Sequence, residues 1–299
     1  MYATEGENNV RNIAGSLSNK SGYACQQKSL VDSWRREFSK IPRTTNPLAP
    51  FGITQLAGYC SEGFPWNSGA FRLAQTGGYG FLPNPEMPAT FLGQAFDLGD
   101  PWAKGCLQTK ACFGWDTPWS FNRTCWYEVS YIHPRDKAPL GQRLANAALS
   151  VHYNRSEVHT QPVITGCSLM GSVSDGQHVI VVFDAKKMGD DQLLIQKFDK
   201  QEGASATEVL LDNATWTFVN TLLPGENSSS LRVVLQPGMA ITGIRYGWGD
   251  NPCCGTNNRT LTPCPPASCP LITKRTKEPA VPWQAMIDSR TKRCVLAVQ

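Results

Sequence analysis

The hydrophobic pattern of this chain changes period once, near residue 160, and that change limits what it can fold into. Before it, apolar residues recur at helical spacing between short apolar runs. Leu30, Val31, Trp34, Phe38 and Ile41 share one stripe within residues 28–41; Leu140, Leu144, Ala147, Ala148 and Val151 share another between Pro139 and Val151. Phe51–Leu56 and Phe91–Phe96 read as short buried strands, the second closed by Asp97-Leu-Gly-Asp100. Helix and strand in alternation predict an α/β layer with a parallel sheet. After residue 160 the runs Val179–Phe183, Leu193–Phe198, Glu208–Leu211, Thr215–Leu223, Leu231–Leu235 and Ile241–Tyr246 are separated by Gly, Pro, Asn and Asp. That spacing predicts an antiparallel β-sandwich. The expected division is a partial α/β domain over 1–155, a sandwich over 160–250, and a Cys/Pro-rich tail over 251–299 that is disulfide-tied and packs back on the body.

Eleven cysteines and six Asn-x-Ser/Thr sequons, at Asn19, Asn122, Asn154, Asn213, Asn227 and Asn258, describe a chain folded where disulfides persist. Cys253, Cys254, Cys264 and Cys269 are close enough to suggest zinc, but no Cys-x-x-Cys occurs and prolines interleave, which suits disulfides better; no metal is expected. The net charge is +4 without a long basic run, so no nucleic-acid partner is expected, and no apolar stretch reaches spanning length. Residues 1–9 have neither a basic start nor an apolar core. Secretion is therefore expected to depend on a leader upstream of these residues.

Chemistry has few candidate carriers. Of four histidines, His152 ends a helical stripe, where an imidazole meets the dipole favourably, while His159 and His178 read as surface positions. His133 stands apart, in Tyr131-Ile-His-Pro-Arg-Asp-Lys137 between strand-like residues and a helix. Open α/β sheets place functional loops at such points. It reads either as a general base or as a hydrogen-bonded loop residue. The segment between Asp100 and His133, rich in Trp and Cys, reads as a lid, a partner surface or a braced loop.

Three stretches together resemble the sialate O-acetylesterases: Tyr79–Phe91 with Asp97-Leu-Gly-Asp100; Ile132–Lys137 leading into the Arg143-Leu144 helix; and Arg245-Tyr-Gly-Trp248 with Pro252-Cys253 and Cys269-Pro-Leu271. Gly6-Glu-Asn-Asn9 is similar to that family's Gln-Gly-Glu-x-Asn block. The resemblance implies an SGNH-type α/β hydrolase domain with a β-sandwich, secreted or lysosomal, acting on O-acetylated sialic acids or related sugars without a cofactor. It implies serine-histidine-acid acyl transfer through an acetyl-enzyme, with His133 as base and the Gly6–Asn9 block beside the oxyanion.

The chain also departs from that pattern. The family's Gly-Gln-Ser-Asn nucleophile block does not occur in the 299 residues, Glu5 stands where the family has Gln, and Tyr131 stands where many relatives have Asp. The acid orienting His133 is then expected to be Asp100, with Asp97 and Glu128 as alternatives. Arg72 and Gln75 are expected either to reach a sialic acid carboxylate and hydroxyls or to form surface ion pairs. This chain alone is expected to be inactive. The alternative reading is a sialoside-binding protein without turnover.

Overall fold

The computed structural model describes residues 15, 17, 20–58, 68–99, 134, 136–155, 160–189, 191–196, 206–219, 221–249, 253 and 268–296. Its first part is built on a parallel pair. Strand β1 (Phe51–Thr54) lies beside β2 (Thr90–Gly93), with Phe51 opposite Thr90 and Thr54 opposite Gly93. Helix α1 (Gly22–Phe38) precedes the pair, α2 (Ser68–Ala74) lies between its strands in sequence, and α3 (Ala138–His152) follows. Leu140 and Leu144 of α3 sit over Gly93, where an added Cβ would collide with both. The early turns of α3 thus meet the C-terminal end of β2.

Helix α1 corrects one reading from the sequence. It begins at Gly22 and buries Tyr23, Ala24, Gln27, Val31 and Arg35. Trp34, Phe38 and Ile41 are exposed instead, at 37%, 57% and 67%. The reason lies in the polar first turns, where Tyr23 packs on Phe71 of α2 at 4.3 Å and so sets which side faces inward. Trp34 and Phe38 form an outer aromatic edge with Phe51.

The second part comprises two antiparallel sheets around one core. One runs β3 (Ile164–Ser172), β4 (Gly176–Phe183), β9 (Ser230–Val234), β8 (Leu222–Pro224). The other runs β13 (Cys294–Leu296), β12 (Trp283–Ile287), β10 (Ile241–Tyr246), β6 (Thr207–Leu211), β7 (Trp216–Phe218). A short pair, β5 (Leu193–Ile195) with β11 (Leu271–Thr273), lies beside them, and the one-turn helix α4 (Ala185–Met188) follows β4. Alternate residues Val179, Val181 and Phe183 of β4 face inward, as a half-buried strand requires. They share a core with Val209, Ile244, Trp283 and Ala285 from the opposite sheet.

Two boundaries differ from those expected. Thr215–Leu223 is not one strand: β7 belongs to the five-stranded sheet and β8 to the four-stranded one, so the chain changes sheets between them. Nor does the sandwich end at residue 250, because β12 pairs with β10, Ile244 lying opposite Ala285. Residues 283–296 are strands of the sandwich itself.

Disulfide Cys167–Cys294 joins β3 to β13, and so one sheet to the other, across 127 residues of sequence; Cys253–Cys269 closes a shorter loop. Replacing Cys167 and Cys294 with alanine should lower unfolding stability by about 2–4 kcal/mol in denaturant titration. Non-reducing peptide maps should return both pairs.

Candidate active site

Side chains that meet at the C-terminal edge of β1 and β2 come from four places in the sequence. From the end of β2 onward, residues 92–99 are buried without interruption. Asp97, fully buried, accepts both ends of a guanidinium fork from Arg143 of α3, at 2.6 and 2.7 Å. Arg143 also donates to the Gln94 carbonyl at 2.9 Å, and its Nε lies 3.1 Å from Oε2 of Glu278, in the segment before β12. The Gln94 amide reaches the Pro279 carbonyl. One arginine therefore fixes the exit of β2, the first turns of α3 and the C-terminal segment together.

Burial pushes the Glu278 carboxyl up to about 7; Arg143 opposes the shift and the charge of Asp97 adds to it. Arg143 itself is held above its ordinary value, since burial alone would lower it and Asp97, then Glu278, more than compensate. A buried arginine removed from such a set leaves Asp97 charged and unpaired, the costliest way to break an ion pair.

A second arginine performs a related task. Arg72 of α2, with no exposed surface, donates to the carbonyls of Leu56 at 3.1 Å, Ala57 at 3.0 Å and Gly249 at 2.8 Å. Gln75 accepts from Leu56 N at 2.8 Å and donates to the Thr54 carbonyl at 3.0 Å. Gln75 thus holds the exit of β1 to α2, and Arg72 braces it against the Arg245-Tyr-Gly-Trp248 segment, whose Trp248 carbonyl receives Gly69 N at 3.0 Å. The expectation that they face a ligand or form surface ion pairs is corrected: both side chains are buried, Arg72 donating to backbone carbonyls and Gln75 bonding backbone and the Tyr23 side chain. Within the same segment Arg245 grips Glu208 at 2.7 and 2.8 Å and lies against the rings of Trp216 and Trp248.

Of the other expected site residues, His133, Asp100, Gly6, Asn9 and Glu128 lie outside the described residues. Pro134, the residue after His133, is buried, and Asp136 Oδ1 accepts Ala138 N at 3.0 Å at the start of α3. Asp97, an alternative orienter, has both carboxylate oxygens engaged by Arg143. Asn154, Asn213 and Asn227 are exposed, while Asn19, Asn122 and Asn258 lie outside the described residues. His152 is exposed against Tyr153, and His178 sits on β4 opposite Met170. Among the described residues no three His, Cys, Asp or Glu groups are placed to hold a metal ion, and no helix is long and apolar enough to cross a membrane.

The sequence reasoning did not single out Glu278, Gln94 or Arg143 as site residues. Arg143 carried a signal that could have found it: a charged residue at helical spacing between Leu140 and Ala147, on the inward stripe of α3.

A carbohydrate acetylesterase from Xanthomonas citri has this fold, with a TM-score of 0.56 at 20% identity over 88% of this chain and 45% of that one. The curated relatives carry a narrower name. A human protein named sialate O-acetylesterase is 25% identical over 95% of this chain and 45% of its own length. The rat protein of that name is 32% identical over 163 residues, 52% of this chain and 24% of its own length. No protein-family model matches. The chain is similar to proteins named sialate O-acetylesterase, in line with the resemblance read from its sequence, and it spans less than half the length of those curated proteins.

Arg143→Met should destabilise the fold by about 3–5 kcal/mol in equilibrium denaturation. Glu278 gives a pH signature. Its folded value is above the unfolded one, so folding takes up a proton between about pH 4.5 and 7 and stability declines across that window as pH rises. Glu278→Gln should remove that decline, worth on the order of 3 kcal/mol, when melts are compared at pH 5 and pH 7.5.

Proposed function

We propose that this chain is part of a secreted or lysosomal sialate O-acetylesterase of SGNH type, acting on O-acetyl esters of sialic acids or related sugars. The observation that carries this reading is the match to proteins of that name along 95% of the chain. Supporting it, the parallel β1–β2 pair with α3 offers the strand edge at which such folds hold a catalytic loop. His133 stands five residues before α3, whose first turns are fixed by Arg143.

In the proposed mechanism His133 takes the proton of a serine hydroxyl as its oxygen attacks the acetyl carbonyl. The ester C–O bond then breaks, and the departing sugar oxygen receives the proton from the imidazolium. Water, deprotonated by the same imidazole, releases acetate from the acetyl-enzyme and restores the serine. Donors in the Gly6–Asn9 block would face the oxyanion. Asp100 would orient the imidazole, since Asp97 is already engaged by Arg143. The serine is assigned to a Gly-Gln-Ser-Asn block, absent from these 299 residues. The two disulfides and the exposed Asn154, Asn213 and Asn227 are consistent with passage through an oxidising, glycosylating compartment.

The test is acetate release from an O-acetylated sialic acid by a longer form of the protein that carries that block. His133→Ala should lower turnover by roughly 10⁴-fold or more, whereas unchanged turnover would overturn the assignment. The 299-residue chain alone should release no acetate above background.

A further inference from the structure

Away from the strand edge, α3, β2, residues 81–83 and the segments that lead into the sandwich line an open cavity of about 420 Å³. It touches Ala147, Ser150 and Val151 in the last turns of α3. Ala147 lies about 14 Å along the helix from Ala138, at roughly 1.5 Å per residue. The cavity is therefore at the opposite end of α3 from the His133 segment. Leu82, Leu92, Val163 and Val281 give it an apolar lining, and all four are buried.

One cation faces this space. Lys187 of α4 lines the cavity with its Nζ 5.0 Å from the centre of the Phe81 ring. Burial lowers its pKa, and the charge of Asp184 offsets that only in part. Asp184 is itself committed to capping α4, where its Oδ1 accepts Lys186 N at 2.9 Å and Lys187 N at 3.3 Å. Among the described residues no carboxylate lies within ion-pair distance of Nζ. Desolvating an ammonium without an anionic partner is costly, and a carboxylate brought to it would remove that cost. The uncharged polar groups of the lining are Ser150, Thr160 and Gln161, and the Gln161 amide donates to the Leu92 carbonyl at 3.0 Å. Cavities of this size, apolar with a few polar groups, take small organic molecules.

We propose that the cavity binds a small monocarboxylate with an apolar body, its carboxylate paired with Lys187 and its chain or ring seated against Leu92, Val163 and Val281. The site is separate from the one proposed for acetyl esters and does not depend on that reading. Calorimetric titration of the 299-residue chain with 4-phenylbutyrate, and in parallel with the neutral 4-phenylbutanol, tests it. The acid should bind at least tenfold more tightly than the alcohol. Lys187→Met should erase that difference while leaving the alcohol's affinity and the melting temperature unchanged; Lys187→Gln serves the same purpose should the methionine variant fail to fold. Equal affinities in the unaltered protein, no binding of the acid at millimolar concentration, or an acid affinity indifferent to both substitutions would overturn the proposal.

Discussion

The guanidinium of Arg143 is buried between two carboxylates that come from opposite ends of the sequence, Asp97 after β2 and Glu278 before β12. A charge in that position has no access to water and must find its whole solvation inside the protein. The fork to Asp97 supplies most of it, and the Gln94 carbonyl adds a further acceptor. Three segments can satisfy this one group only by meeting at one point. The contact between the α/β layer and the sandwich is thus specified by hydrogen-bond geometry as well as by apolar area. Arg72 applies the same logic one strand over, spending its donors on the carbonyls after β1 and on Gly249.

These two arginines hold the segments that leave β1 and β2. Past Gln55, whose N–H still bonds the Gly93 carbonyl, residues 56–57 and 94–97 have left their strands and need partners other than a ladder. Gln75 accepts Leu56 N, Arg72 donates to the carbonyls of Leu56 and Ala57, and Arg143 donates to that of Gln94. A catalytic loop attached to such an edge inherits a fixed starting point. In the proposed enzyme, the first turns of α3 would provide that for His133.

Much of the architecture was legible where the periodicity was strong. The stripe read from Pro139 to Val151 became α3 almost residue for residue, and the β-type run Val179–Phe183 became the second half of β4. The parallel pairing of β1 and β2 followed from two short apolar runs with helical spacing around them. What escaped had weak local signals. Ser68–Ala74 is too short to display a stripe, and Ile164–Ser172 dilutes its β-formers with Gly, Ser and Cys. The outward turn of Trp34, Phe38 and Ile41 depends on Tyr23 meeting Phe71, a tertiary contact that no window of sequence contains. In the site, the roles of Arg72 and Gln75 could not be read because most of their partners are backbone groups, which leave no mark on a sequence. Glu278 was invisible for a different reason: its partner Arg143 is 135 residues away in a different part of the fold.

The place of β12 in its sheet has a consequence for how the molecule is made. It lies between β13 and β10, so the sheet has only β10, β6 and β7 until residues 283–287 have been synthesised. During translation β10 therefore presents an open hydrogen-bonding edge, and the face of Ile244 and Tyr246 lacks the cover of Trp283 and Ala285. Until then the nascent sandwich is an unfinished sheet, and its closure waits on β12 and β13.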